Sequence, residues 1–156
     1  MRSTLSDSTR RAFLQAGGLS VAASLMSSST AEAAPRTAAE EANVKIIDDF
    51  CKSWATRDLA KITSFLADTC IYRATETAPP AVGREAIIER IKGPVGRAEK
   101  VEFEILDTWA KGPLVVDDRL DYFIVGGETR IFHAVGVFYM VGGKIAEWTD
   151  FVIRDR

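Results

Sequence analysis

A chain of 156 residues, 47% hydrophobic and 27% charged, has room for one modest core and one domain. Its formal charge is −2 and its basic residues form no run, which excludes the electrostatic footprint of a nucleic-acid binder. One histidine and two cysteines without Cys-x-x-Cys spacing argue against a zinc centre.

Residues 1–33 read as a targeting segment. Arg10-Arg11 precede a short apolar run from Ala16 to Met26, and Ala31-Glu32-Ala33 offers a small-x-small cleavage site. Thr9 to Leu14 resembles the twin-arginine export motif, an address read by the twin-arginine export machinery. The apolar run is too short for a stable membrane anchor. The expectation is an exported protein, periplasmic or secreted, whose domain spans 34–156. A plain basic N-terminus is the alternative.

Thr37 and Glu40 form a Thr-x-x-Glu capping box, and Val44, Ile47, Phe50, Cys51 and Trp54 follow at helical spacing. This predicts a helix over 38–54. Asp58 caps a second, short helix carrying Leu59, Ile62, Phe65 and Leu66. A short strand is expected at Cys70 to Arg73, then a loop over 75–82 stiffened by Pro79-Pro80 and carrying a solvated Glu76. Gly83-Arg84-Glu85 opens a third helix with Ile87, Ile88 and Ile91, which Gly93-Pro94 should end.

From Lys100 the apolar period changes to two. Strands are predicted from Lys100, over 114–125, over 130–141 and over 144–153. Gly112-Pro113, Gly126-Gly127 and Gly142-Gly143 supply the turns. Helices first and an antiparallel meander last make the fold α+β: N-terminal helices packed on a strongly curved mixed or antiparallel sheet forming a cone. The mouth of such a cone is a common place for a small-molecule site.

Two strands carry charges among bulky apolar residues. Arg119, Asp121, Phe123 and Val125 share one face, and Arg and Asp two apart point the same way. Trp148-Thr149-Asp150-Phe151 sets a second carboxylate between large apolar groups. Desolvation favours the neutral acid and a nearby guanidinium favours the anion, so two such carboxylates can differ in protonation and divide the roles of acid and base. An ordinary cross-strand ion pair is the competing explanation.

Arg119-Leu120-Asp121, Val135-Gly136-Val137-Phe138, Gly143-Lys144-Ile145 and Trp148-Thr149-Asp150-Phe151 together resemble limonene-1,2-epoxide hydrolase in order and spacing. Tyr72, Pro79-Pro80-Ala81 and Gly83-Arg84 extend the resemblance over nearly all of the chain after Ala38. It implies a cone of the NTF2-like (cystatin-like) class, a homodimer, no cofactor and no metal, and hydrolysis of a small hydrophobic epoxide. It further implies Asp121 as general acid, Asp150 as general base, Arg119 bridging both, and Tyr72 holding the attacking water. The sequence departs from that family where an Asn should follow two residues after the tyrosine. Here that residue is Ala74, and Thr75 beside it is a partial substitute. Two alternatives therefore stay open: an isomerase or cyclase of the ketosteroid-isomerase or polyketide-cyclase type, and a non-catalytic binder of hydrophobic ligands.

Among the remaining residues, Trp148 and Phe123 are expected at the pocket. His133 reads either as a structural histidine or as a pocket residue. Trp54 and Trp109 are expected in core or dimer packing. Cys51 and Cys70 are either buried thiols or, in an exported protein, a bridge.

Overall fold

The computed structural model describes residues 35–153. The expected export segment, residues 1–33, lies outside them. Helix α1 spans Ala38–Ser53 and opens on the expected capping box. Thr37 Oγ1 accepts from the Glu40 N–H, and Glu40 Oε2 accepts from the Thr37 N–H at 2.8 Å. The other oxygen of Glu40 accepts from the Gly112 N–H at 2.7 Å, tying the start of the helix to a distant β-turn. Backbone donors on both oxygens hold the Glu40 pKa below the ordinary range.

Three helical boundaries differ from expectation. Trp54 lies just past α1, in a single 3-10 turn (Trp54–Thr56) that Arg57 closes in the left-handed region. The second helix, α2, covers only Leu59–Thr63 under the Asp58 cap. Phe65 follows it, and Leu66 opens strand β1 (Leu66–Arg73), which is longer than foreseen. A two-residue strand β2 (Ala81–Val82) lies in the expected loop.

Helix α3 spans Arg84–Arg97 and runs through Pro94 instead of ending there. Ile87, Ile91 and Val95 form one buried stripe at four-residue spacing. Burying Val95 returns about 1.5–3 kcal/mol, against a proline cost of about 3 kcal/mol.

Strands β3 (Lys100–Lys111), β4 (Leu114–Val125), β5 (Glu128–Val141) and β6 (Lys144–Ile153) form the predicted meander. Gly126-Gly127 and Gly142-Gly143 take positive φ at both positions, as tight hairpin turns require. The six strands make one open mixed sheet in the order β2-β1-β6-β5-β4-β3. Its single parallel pair, β1 with β6, brings Tyr72 beside Trp148.

The helices cover one face of the sheet. Beneath them Phe50 meets Trp54, Phe65, Phe138 and Trp148 edge-on. Cys51 and Cys70 are both buried free thiols. Trp109 is 53% exposed on the opposite face, so the core half of its expected role is wrong. It follows Thr108 beyond an irregularity in the β3–β4 register and pairs with Val116 on the outer side.

Candidate active site

Period-two alternation on β4 buries Val115, Asp117, Arg119 and Asp121 in one row beneath the helices. Arg119 is 1% exposed and Asp117 is fully buried. The guanidinium is surrounded by three carboxylates. Its Nη1 donates to Asp117 Oδ1 at 2.8 Å, its Nε to Asp121 Oδ1 at 2.8 Å, and its Nη2 to Asp150 Oδ1 at 2.7 Å.

Asp150 lies on β6, two strands from β4. Across the sheet Asp117 pairs with Gly136, and Gly136 with Asp150. The absence of a side chain at Gly136 makes the approach possible: a Cβ there would overlap Arg119 Nη1 and lie 2.5 Å from Asp117 Oδ1. The Gly136 N–H also donates to Asp117 Oδ1 at 3.0 Å.

Each carboxylate has a different surrounding. Asp150 Oδ1 accepts a second bond from the Trp148 indole N–H at 2.8 Å. Asp121 is bonded to Arg119 through both of its oxygens. Asp117 also receives the Cys51 thiol at 3.5 Å. Burial pushes the Asp121 carboxyl up to about 7, against the lowering pull of Arg119. Burial raises Asp150 too, while Arg119 and the Trp148 N–H draw it back. Burial opposes the charge on Arg119, but Asp150, Asp117 and Asp121 together raise its pKa well above the ordinary value.

Asp121 and Asp150 open onto one cavity of about 300 Å³. Tyr72, Ala74 and Thr75 from β1 and the loop after it line the cavity, as do Phe123 and Trp148. Tyr72 stacks on Trp148 with ring centroids 3.8 Å apart. Burial raises the Tyr72 phenol, so it stays a neutral donor. A wall of this kind around two carboxyls and one phenol provides an acid, a base and a hydrogen-bonding group on one small apolar ligand.

The structure thus brings together Arg119, Asp121, Asp150, Tyr72, Thr75, Trp148 and Phe123. His133 is not among them. Its expected pocket role is corrected: it lies on the outer face, with Nε2 2.6 Å from Asp118 Oδ1 and a side chain 38% exposed. Odd-numbered residues of β5 point away from the cavity, whereas Ala134 and Phe132 point into it. Sequence reasoning missed Asp117, although the same period of two places it in the row of Arg119 and Asp121. It also missed Trp54, Arg90, Ile91 and Pro94, which reach the cavity only through helix packing.

Residues 47–148 match the family described as SnoaL-like domain. Among solved structures, the chain is similar to an LEH-like epoxide hydrolase of M. tuberculosis. That pair is 22% identical, with a TM-score of 0.65 over 73% of this chain and 84% of the other. It is also similar to a protein of Jannaschia sp. CCS1, provisionally described as a SnoaL-like polyketide cyclase. There the identity is 13% and the TM-score 0.67, over 76% and 90%. A Catenulispora acidiphila protein with a ketosteroid isomerase-like fold, in complex with trimethylamine, is 16% identical with a TM-score of 0.62, over 69% and 84%. The architecture is NTF2-like, a fold that carries several unrelated chemistries. The chain belongs to the SnoaL-like domain family.

Proposed function

We propose that the protein hydrolyses a small apolar epoxide to a vicinal diol, without cofactor, in one step. One observation carries this reading: Asp121 and Asp150 share the Arg119 guanidinium and open onto the same apolar cavity. In the proposed step Asp150 takes a proton from water held with the help of Tyr72. The water oxygen forms a bond to one epoxide carbon while the C–O bond of that same carbon, on the face away from the water, breaks. The proton of Asp121 passes to the released oxygen. A raised Asp121 pKa suits an acid that holds its proton near neutrality, and the two donors on Asp150 Oδ1 suit a carboxylate that works ionised.

The second reading is an isomerase or cyclase in which Asp150 removes a proton from carbon. The likeness to the cyclase-type and isomerase-like folds favours it. Incubating the purified protein with a panel of epoxides and of enones, with product detection, separates the two. Diol formation is expected, and Asp121→Asn and Asp150→Asn should each lower turnover by about 10²–10⁴-fold. Isomerised enone without diol, or either variant keeping most of its activity, would sink the hydrolase reading.

We also propose that the chain pairs as a homodimer through the outer sheet face, where Trp109, Ile131, Tyr139, Phe151 and Ile153 are exposed together. Sedimentation of the protein at micromolar concentration as a monomer would remove this part.

A further inference from the structure

The cavity does not end at its apolar wall. Pro94, Phe123 and Phe132 line it and also line a second hollow of about 320 Å³, so the two adjoin along one groove lined by these side chains. The acids lie at the inner end. Towards the outer end the lining turns cationic: Arg97 and Arg130 border the second hollow, whose lining holds no carboxylate, while Arg90 borders the first. Asp121 and Asp150, at the inner end, are the acidic residues of the lining.

Helix α3 makes the contrast plain. Two of its cations are neutralised away from the groove: Arg84 pairs with Asp68 at 2.9 Å, and Lys92 pairs with Glu89. Arg90 and Arg97 border the groove, and among the described residues neither has a carboxylate within 4.0 Å. Among the described residues Arg130 has none within that distance either. Arg90 reaches only the Pro79 carbonyl, at a long 3.4 Å. The guanidinium of Arg97 folds back along α3, where a Cβ on Gly93 would lie 3.2 Å from its Nη1. Arg97 and Pro94 line the second hollow together.

We infer that the outer end of the groove is a subsite for an anionic headgroup, so that the ligand is an amphipathic acid: an apolar body with a carboxylate at one end. A guanidinium presents a planar fork that a carboxylate matches with two bonds. The field along the groove fixes the direction of entry. A negative headgroup is repelled by the inner carboxylates and held by the arginines. The inner hollow, at about 30 Å³ for each non-hydrogen atom, accepts a body of roughly ten atoms. The epoxide of such a substrate lies at the end remote from the carboxylate. That last point rests on the hydrolase reading; the headgroup subsite does not.

Decanoate and 1-decanol test the subsite by binding alone, followed through the fluorescence of Trp54 and Trp148 in the cavity wall. Decanoate should bind about tenfold more tightly than decanol, with a preference that shrinks as salt rises. In the double variant Arg97→Gln, Arg130→Gln the preference should vanish while decanol affinity is unchanged, which also reports that the cavity is intact. Equal binding of acid and alcohol by the native protein, or a preference that survives in the double variant, overturns the subsite. Turnover of 9,10-epoxydecanoate and 1,2-epoxydecane keeps the two proposals apart. No diol from either, with the decanoate preference present, ends the hydrolase reading and leaves the subsite standing. Diol from both with equal KM ends the subsite and leaves the hydrolase.

Discussion

The guanidinium of Arg119 lies across the Cα of Gly136, on the strand between β4 and β6. Arg119 and Asp150 are therefore joined over a strand that contributes no side chain at the crossing. A β-strand spacing of nearly 5 Å puts β6 about 10 Å from β4, a gap that a long arginine closes only if nothing stands in the way.

Gly136→Ala places a methyl group against Arg119 Nη1 and Asp117 Oδ1. Overpacking a buried polar cluster should cost about 1–3 kcal/mol of stability and most of the turnover. Urea denaturation and steady-state rates measure both effects. Gly96→Ala is the control: nothing lies within 4 Å of the added Cβ on that helical residue. It should leave turnover unchanged and stabilise by up to about 1 kcal/mol.

Stability should fall as pH rises through the neutral range. Asp121 has a folded pKa near 7 and an unfolded value of about 3.9, so the folded state holds the proton longer. The penalty for ionising it in the fold is absent below about pH 4, grows between the two values, and is complete above 7. Asp150, also raised by burial, acts in the same direction. Thermal midpoints of the native protein should drop between pH 5 and pH 8, and those of Asp121→Asn should drop less. Equal slopes for the two proteins would contradict the assignment.

Turnover should fall above pH 7 as Asp121 loses its proton. Asp117→Asn keeps the shape and removes a like charge that raises both neighbours. The alkaline limb of the pH–rate curve should move to lower pH, by up to about one unit. Asp117→Ala is a different case, because it strips partners from Arg119 and from the Gly136 N–H. It should destabilise the fold by several kcal/mol, as breaking a buried pair does.

Trp148→Phe retains most of the apolar packing and deletes the N–H that Asp150 Oδ1 accepts. That bond favours the charged carboxylate, so its loss should move the acidic limb to higher pH by roughly one unit. An unmoved acidic limb, with activity retained, would mean that Asp150 is not the ionised partner.

The sequence by itself determined the class of fold and most of its elements. Capping at Thr37 and Asp58, glycine pairs at 126–127 and 142–143, and the change of apolar period at Lys100 are local signals, set by hydrogen-bonding geometry a few residues apart. It also marked Arg119, Asp121 and Asp150, because charges among large apolar residues break the local pattern. Local pattern could not say which face of each strand the helices would cover. That choice sends His133 outward to Asp118 and Asp117 inward to Arg119. Nor could it place Arg90, Ile91 and Pro94 on the cavity, or carry α3 past its proline, since both depend on where a helix docks on a sheet assembled from distant segments. Only the tertiary structure brings β6 close enough for Arg119 to reach Asp150 over Gly136, because strand order is a long-range property of packing.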